Sequence, residues 1–148
     1  MLIAEIGLAH EGSLGLAMSY ARALNDIGVK TCKYQMHLAD AESSRYEKFR
    51  IPFSSQDSCR QDYWRRTQFT FAEWKILKEY CDELNMEFLC SPFSTSAIEW
   101  LEDLGVERYK LGSAEAICPL MIQKLSETNK PVIVSTGLSD DRDIEEAI

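Results

Sequence analysis

The sequence predicts an α/β protein, a (β/α)8 TIM barrel truncated after about five β-α units. Three observations lead there. Short β-branched runs alternate with helical patterns five times, the rhythm of a parallel sheet covered by helices. Polar side chains (Glu5, Lys33, Ser91, Lys110 and Ser135) fall at or near the C-terminal ends of successive strand-like runs, where barrels carry their chemistry. The turn after the first run, "GLAHEGSLG", fits neither the dinucleotide fingerprint nor the P-loop, which counts against a doubly wound sheet.

The elements follow in order. "LIAEIG" reads as the first strand and "SLGLAMSYARALNDIG" as an amphipathic helix, with Ser13 at its N-cap and Gly28 as its stop. "VKTCKYQM" is the second strand. Residues 37–68 show little periodicity and read as a long loop with a short helix, a length that in compact domains points to a functional lid. "TFAEWKILKEYCDELN" is a helix, and Thr70 with Glu73 has the spacing of a capping box. The alternation then quickens. "MEFLCSPF", "VERYKLGS" and "KPVIVSTG" read as strands, separated by the helices "STSAIEWLEDLG" and "CPLMIQKLSETN". "SDDRDIEEAI" begins a further helix. A barrel of this kind takes about 250 residues. Residues 1–148 are therefore expected to form the N-terminal portion of a barrel domain, with its C-terminal strands absent.

Composition narrows the function. Asp and Glu number 24 against 16 Lys and Arg, a net charge of −8. An acidic chain argues against nucleic acid as a partner. The one basic stretch, "DYWRRTQF", places Trp64, Arg65 and Arg66 in what reads as a surface loop. No apolar run is long enough to cross a membrane, and the opening "MLIAEIGLAHEG" lacks a basic leader segment. Five scattered cysteines without a CxxC pair read as reduced thiols of a cytoplasmic protein. His10-Glu11 lacks the second histidine of a metalloprotease helix, because Leu14 stands in its place. Two histidines, His10 and His37, are too few for a metal centre.

The strand ends hold the candidate chemistry. Alternation sends Thr31, Lys33 and Gln35 to one face of the second strand and the apolar Cys32, Tyr34 and Met36 to the other. In the fourth strand Tyr109 and Leu111 are the apolar pair, so Lys110 shares the inner face with Lys33. Two inward ammonium groups repel unless an anion neutralises them or one loses its proton. Hydroxyls at Ser91, Ser113, Ser135 and Thr136 add donors. The Gly112-Ser113 and Thr136-Gly137 turns are expected to open helices with free N–H groups. The pattern describes a pocket for phosphate, carboxylate or both. Either lysine alone reads equally well as a snorkelling side chain. A Schiff-base lysine and a non-catalytic phosphate-binding fragment remain open alternatives. Glu5 serves either as acid or base, or as a salt-bridge partner that holds Lys33.

The motifs "IAEIGLAHEGSL", "CKYQMH", "CSPFS", "YKLGSAE" and "KPVIVSTG", in this order and spread over the whole chain, resemble those of the sialic acid synthase family. The resemblance implies a TIM-barrel enzyme that condenses phosphoenolpyruvate with an N-acetylated amino sugar such as N-acetylmannosamine. It implies a divalent metal, Mn²⁺ or Mg²⁺, whose ligands are expected beyond residue 148, with none in this stretch. Lys33, Ser91, Lys110, Ser113 and Ser135 would bind phosphoenolpyruvate. Gln35 and Phe93 would border the sugar, and Glu5 and Glu115 would be the acid and base carboxylates. A small C-terminal antifreeze-like domain, absent here, would complete the site in a homodimer. The sequence departs from the family pattern at Ala9, where asparagine is usual, and at Ala114 in "GSAE", where glycine is commoner.

Overall fold

In the computed structural model, which describes residues 1–147, five strands form one parallel sheet in the order β1-β2-β3-β4-β5. They are β1 (Ile3–Gly7), β2 (Thr31–Met36), β3 (Glu87–Pro92), β4 (Tyr109–Leu111) and β5 (Val132–Val134). A doubly wound sheet reverses its strand order at a switch point. The consecutive order here has no such reversal, and β1 and β5 are the edges of the sheet. The strands are shorter than the sequence runs at β4 and β5, each with three residues.

Helices α1 (Leu14–Asp26), α4 (Phe71–Glu83), α5 (Thr95–Asp103) and α6 (Pro119–Ser126) connect the strands, and α7 (Asp141–Ala147) follows β5. Their apolar stripes explain where they pack. Ala17 and Ala21 of α1, Leu77 and Cys81 of α4, Ile98 and Leu101 of α5, and Leu125 of α6 are all buried. They meet Cys32, Tyr34 and Met36 of β2, Cys90 of β3, and Tyr109 and Leu111 of β4 in one core. The two alanines let α1 lie close to the sheet, and the buried Tyr34 hydroxyl donates to the Ala17 carbonyl at 3.0 Å. All five cysteines are free thiols, and Cys32 and Cys81 stand 3.7 Å apart in this core.

The expected caps of α1 and α4 form. Ser13 accepts from the Leu16 N–H, and Thr70 and Glu73 close a reciprocal capping box. Residues 37–68, expected to be a long loop with a short helix, hold two helices. They carry α2 (Ala39–Glu42) and α3 (Arg60–Thr67), so Trp64, Arg65 and Arg66 lie on a helix rather than in a surface loop. Periodicity missed α3 because "RQDYWRRT" has no apolar stripe. Tertiary contacts hold it instead.

The turns after β4 and β5 also depart from expectation. Gly112-Ser113 leads into a 3₁₀ turn at Glu115–Ile117, and α6 starts only at Pro119. The first turn of α7 is capped by its own carboxylates, with Asp140 and Asp143 each accepting the other's N–H at 2.9 Å. Neither turn opens directly onto free helix N–H groups. Among the described residues, no helix is long and apolar enough to cross a membrane.

Replacing Thr70 by alanine removes one half of the capping box. It should cost about 1 kcal/mol, read as a lower urea midpoint with an unchanged m-value.

Candidate functional site

The pleat sorts the sheet into two chemistries. Side chains opposite each other in register share a face. Glu5 pairs with Lys33, Lys33 with Leu89, and Gln35 with Ser91. Lys110 pairs with Ile133. These residues occupy the face turned away from the helical core. Leu89 is fully buried there, outside the main cluster. A register shift between Glu5 and Gly7 bulges the end of β1 beside this face, a common device for aiming a side chain.

The polar groups on that face are joined. Lys33 is only 11% exposed and forms an ion pair with Glu5, whose side chain is 48% exposed. Its ammonium also donates to Ser91 Oγ at 3.3 Å. The Gln35 amide donates to the other Glu5 oxygen at 3.5 Å. Glu5 is thus the half-exposed partner of a nearly buried cation, paired with Lys33 as the salt-bridge reading expects. The ammonium of Lys110 donates to the Leu111 carbonyl at 2.7 Å. Burial, and then repulsion from Lys33, hold the Lys110 pKa below the ordinary lysine value, while Glu5 and Glu115 pull it the other way. The two lysines are therefore on one face and within electrostatic reach of each other.

Beyond the strand ends lies a cleft of about 680 Å³. Phe93, Ser113 and Glu115 line it, together with Glu42, Arg60, Trp64 and, from the loop between α2 and α3, Glu47, Phe49, Arg50, Ile51 and Phe53. The Glu115 carboxylate folds back over Gly112, so that a Cβ at that position would push it aside. Ser135 stands apart from this group. Its backbone N–H bonds the Leu111 carbonyl at 3.0 Å, continuing the β4-β5 ladder.

No sequence motif marks the aromatic column beside the cleft. His37 lies flat between Trp64, 3.9 Å away at 4°, and Phe93, 4.0 Å away at 18°. Its Nδ1 is 3.0 Å from both Glu42 oxygens. His10 is fully buried and stacks on Phe69 at 4.4 Å. Its Nδ1 accepts from the Gly12 N–H at 3.1 Å, and burial lowers its pKa to about 4.

Residues 43–58 are tied down by charge. Arg66 makes hydrogen bonds to Asp57 at 2.9–3.2 Å and to Glu11 at 3.1 Å. Arg60 pairs with Glu47 at 2.6 Å. Gly12, at φ +80°, comes so close to α3 that a Cβ would lie 2.5 Å from the Arg66 carbonyl. Arg65 pairs with Asp40 at 2.6 Å, so both arginines of the basic stretch have carboxylate partners.

The profile of the NeuB family matches residues 21–148. The chain belongs to the NeuB family. It is 29% identical to the N,N'-diacetyllegionaminic acid synthase of Legionella pneumophila, over 99% of this chain and 42% of that protein. It is also 29% identical to the pseudaminic acid synthase of Helicobacter pylori, over 99% of this chain and 44% of that one. The fold matches the N-acetylneuraminic acid (sialic acid) synthetase of Leptospira borgpetersenii, solved with citrate, at a TM-score of 0.80 and 24% identity. That likeness covers 98% of this chain and 47% of the other. The chain thus spans less than half the length of these NeuB-type relatives, and the two curated ones are sugar-acid synthases.

The latch on residues 43–58 of this NeuB-family chain should open in acid. The Arg66 hydrogen bonds, against the opposing effect of desolvation, hold the Asp57 carboxyl below its ordinary range. A depressed folded-state pKa stabilises above the unfolded value and is lost as pH falls through the folded one. The expected result is a shift in Trp64 fluorescence below the usual aspartate range. In Asp57→Asn the shift should be present already at neutral pH.

Proposed function

We propose that this chain forms the substrate-binding wall of a nonulosonic acid synthase, the first part of a TIM barrel. The reaction condenses phosphoenolpyruvate with an N-acetylated amino sugar such as N-acetylmannosamine, giving a sialic-type acid and phosphate. One observation carries this reading. Lys33 and Lys110 share a face, Glu5 is paired with Lys33, and among the described residues Lys110 makes no ion pair, with Glu5 and Glu115 acting on it only at a distance. A small di- or trianion relieves that repulsion. Ser91, already bonded to Lys33, and Ser113 and Ser135 beyond the strand ends supply hydroxyl donors for phosphate and carboxylate oxygens. The family membership supports the same substrate class.

In this mechanism the enol carbon attacks the open-chain aldehyde and forms the new C–C bond. The positive charge left on the enol-ether carbon is quenched by water. Cleavage of the bond between that carbon and the bridging phosphate oxygen then releases phosphate, which takes up the hydroxyl proton, and leaves a 2-keto acid. Lys33 and Lys110 hold the phosphate and carboxylate and offset charge that develops on the leaving group. Glu5 and Glu115 serve as the acid and base pair, one taking a proton from the attacking water and the other supplying one to the aldehyde oxygen. Gln35 and Phe93 border the sugar.

The donor set of these residues does not fit a divalent metal. Among the described residues, no group of three or more His, Cys, Asp or Glu is placed to hold one. Both ring nitrogens of His37 are engaged by Glu42 and Gln35, and Glu5 is committed to Lys33. No step is therefore routed through a metal on these residues. A homodimer in the cytoplasm completes the proposal.

A Schiff-base aldolase is the second reading, favoured by the lowered pKa of Lys110. Borohydride with pyruvate separates the two. The synthase reading expects no trapped adduct, whereas covalent labelling of Lys110 or Lys33 would overturn it. In the protein, Lys110→Ala should weaken phosphoenolpyruvate binding by about tenfold or more, the worth of one charge-assisted contact. Sugar binding should be nearly unchanged, as read by calorimetry. Equal loss of both ligands would point to damage to the fold instead.

A further inference from the structure

The reaction outlined above leaves one buried polar pair unused. His37 and Glu42 have side chains only 4% and 9% exposed. They lie between the cleft and the anion face, and they connect to both. Glu42 meets His37 Nδ1 at 3.0 Å. His37 Nε2 meets Gln35 Oε1 at 3.4 Å. Gln35 Nε2 reaches Glu5 at 3.5 Å, and Glu5 holds Lys33. Five side chains thus form one polar chain from α2 to the lysine. Its two middle links are long, and links of this kind tighten when substrate binds.

The directions of these bonds constrain the protons. Glu5, ionised against Lys33, only accepts, so Gln35 must turn its NH₂ toward Glu5 and its oxygen toward His37. His37 must then donate from Nε2. An ionised Glu42 asks for a proton on Nδ1 as well, and a neutral imidazole has only one. The pair therefore keeps an extra proton, either on the ring or on Glu42. Burial raises the Glu42 pKa, against the lowering effects of His37 and Arg60, which favours retention. The Leu38 backbone and Arg60 act the other way, favouring an ionised Glu42 and so the proton on the ring. Trp64 and Phe93 offer ring faces, Arg60 lies over the Trp64 ring at 5.4 Å, and His10 is neutral above about pH 4.

We propose that His37 is a positioning residue. It shares a proton with Glu42, keeps Nε2–H on Gln35, and so fixes the amide with its NH₂ toward Glu5 and the sugar. Were the extra proton lost, His37 would present a lone pair to the Gln35 oxygen. The amide would then be driven to flip and would set its oxygen against the Glu5 carboxylate. The aromatic column holds the ring in plane, and Glu42 selects which nitrogens are protonated. The role assigned to Gln35 rests on the synthase reading, whereas the protonation pattern does not.

Two measurements test this. In the chain labelled with ¹⁵N-histidine, only two rings contribute. His37 Nε2 should show a directly bonded proton near neutral pH, and Gln35→Leu should shift that signal. An unprotonated Nε2 overturns the proposal. The second measurement is kinetic, in the whole protein with phosphoenolpyruvate and the amino sugar. His37→Phe preserves the stack but removes the donor, and it should raise the sugar KM about three- to tenfold. The phosphoenolpyruvate KM should hold. His37→Gln restores an N–H near the Nε2 position and should return the sugar KM to within about twofold. A purely structural histidine would give the opposite order, with phenylalanine tolerated and glutamine damaging, and that order overturns the proposal. If the wild type turns over no such substrate pair, the synthase reading fails, while the NMR measurement still decides the state of His37.

Discussion

The ion pair between Lys33 and Glu5 is the constraint around which the rest of the inner face is arranged. A lysine in mid-strand, nearly buried, requires a counter-charge. The parallel register supplies one by setting Glu5 of β1 directly opposite Lys33 of β2. The pair is asymmetric. The cation is shielded and the carboxylate is half in water, so the full desolvation cost of a buried pair is not incurred and solvent screens part of the attraction. The second lysine has no such partner. Lys110 falls back on a backbone carbonyl and bears the cost as a lowered pKa. The sheet is therefore electrostatically unfinished on one face while its other face is a closed apolar core.

The segment between β2 and α4 solves a different problem. Residues 43–58 carry exposed Tyr46, Ile51 and Phe53 and have little to bury. What orders them is charge and ring stacking. Arg66 gathers Asp57 and Glu11 onto one guanidinium, and Arg60 engages both Glu47 and the Trp64 ring. Such contacts are individually weak but directional. They hold a cleft wall in place through surface contacts rather than through burial in the core.

The sequence revealed most where one side-chain period ruled. In β2, alternation alone separated Cys32, Tyr34 and Met36 from Lys33 and Gln35, and the buried side chains follow that division. The capping boundaries of α1 and α4 were legible because a hydroxyl at the N-cap has a local partner three residues on. Legibility failed where contacts are distant in sequence. Nothing local marks α3 as a helix, because its charged residues are satisfied by Asp40, Glu47, Asp57 and Glu11. Glu42 and His37 are five residues apart, a spacing with no helical or strand meaning. Their pairing exists only because α2 turns back over the end of β2. The exposure of Glu5 was likewise hidden, since an apolar strand context does not reveal which face stays open.

These features bear on how the site would gain strength. Attraction between an ammonium group and an anion rises steeply as water leaves. Here the charged face is half-open through Glu5, and the long links through Gln35 are the softest part of the polar chain. A ligand seated on the lysines removes water from Glu5 and Lys33 together. That strengthens their mutual attraction and draws the Gln35 amide, already oriented by His37, into shorter contact. On the synthase reading proposed above, the anion that relieves the repulsion between the lysines would also tighten Gln35, the group proposed to border the sugar. Binding of phosphoenolpyruvate would then order the seat of the sugar through residues already joined in this chain.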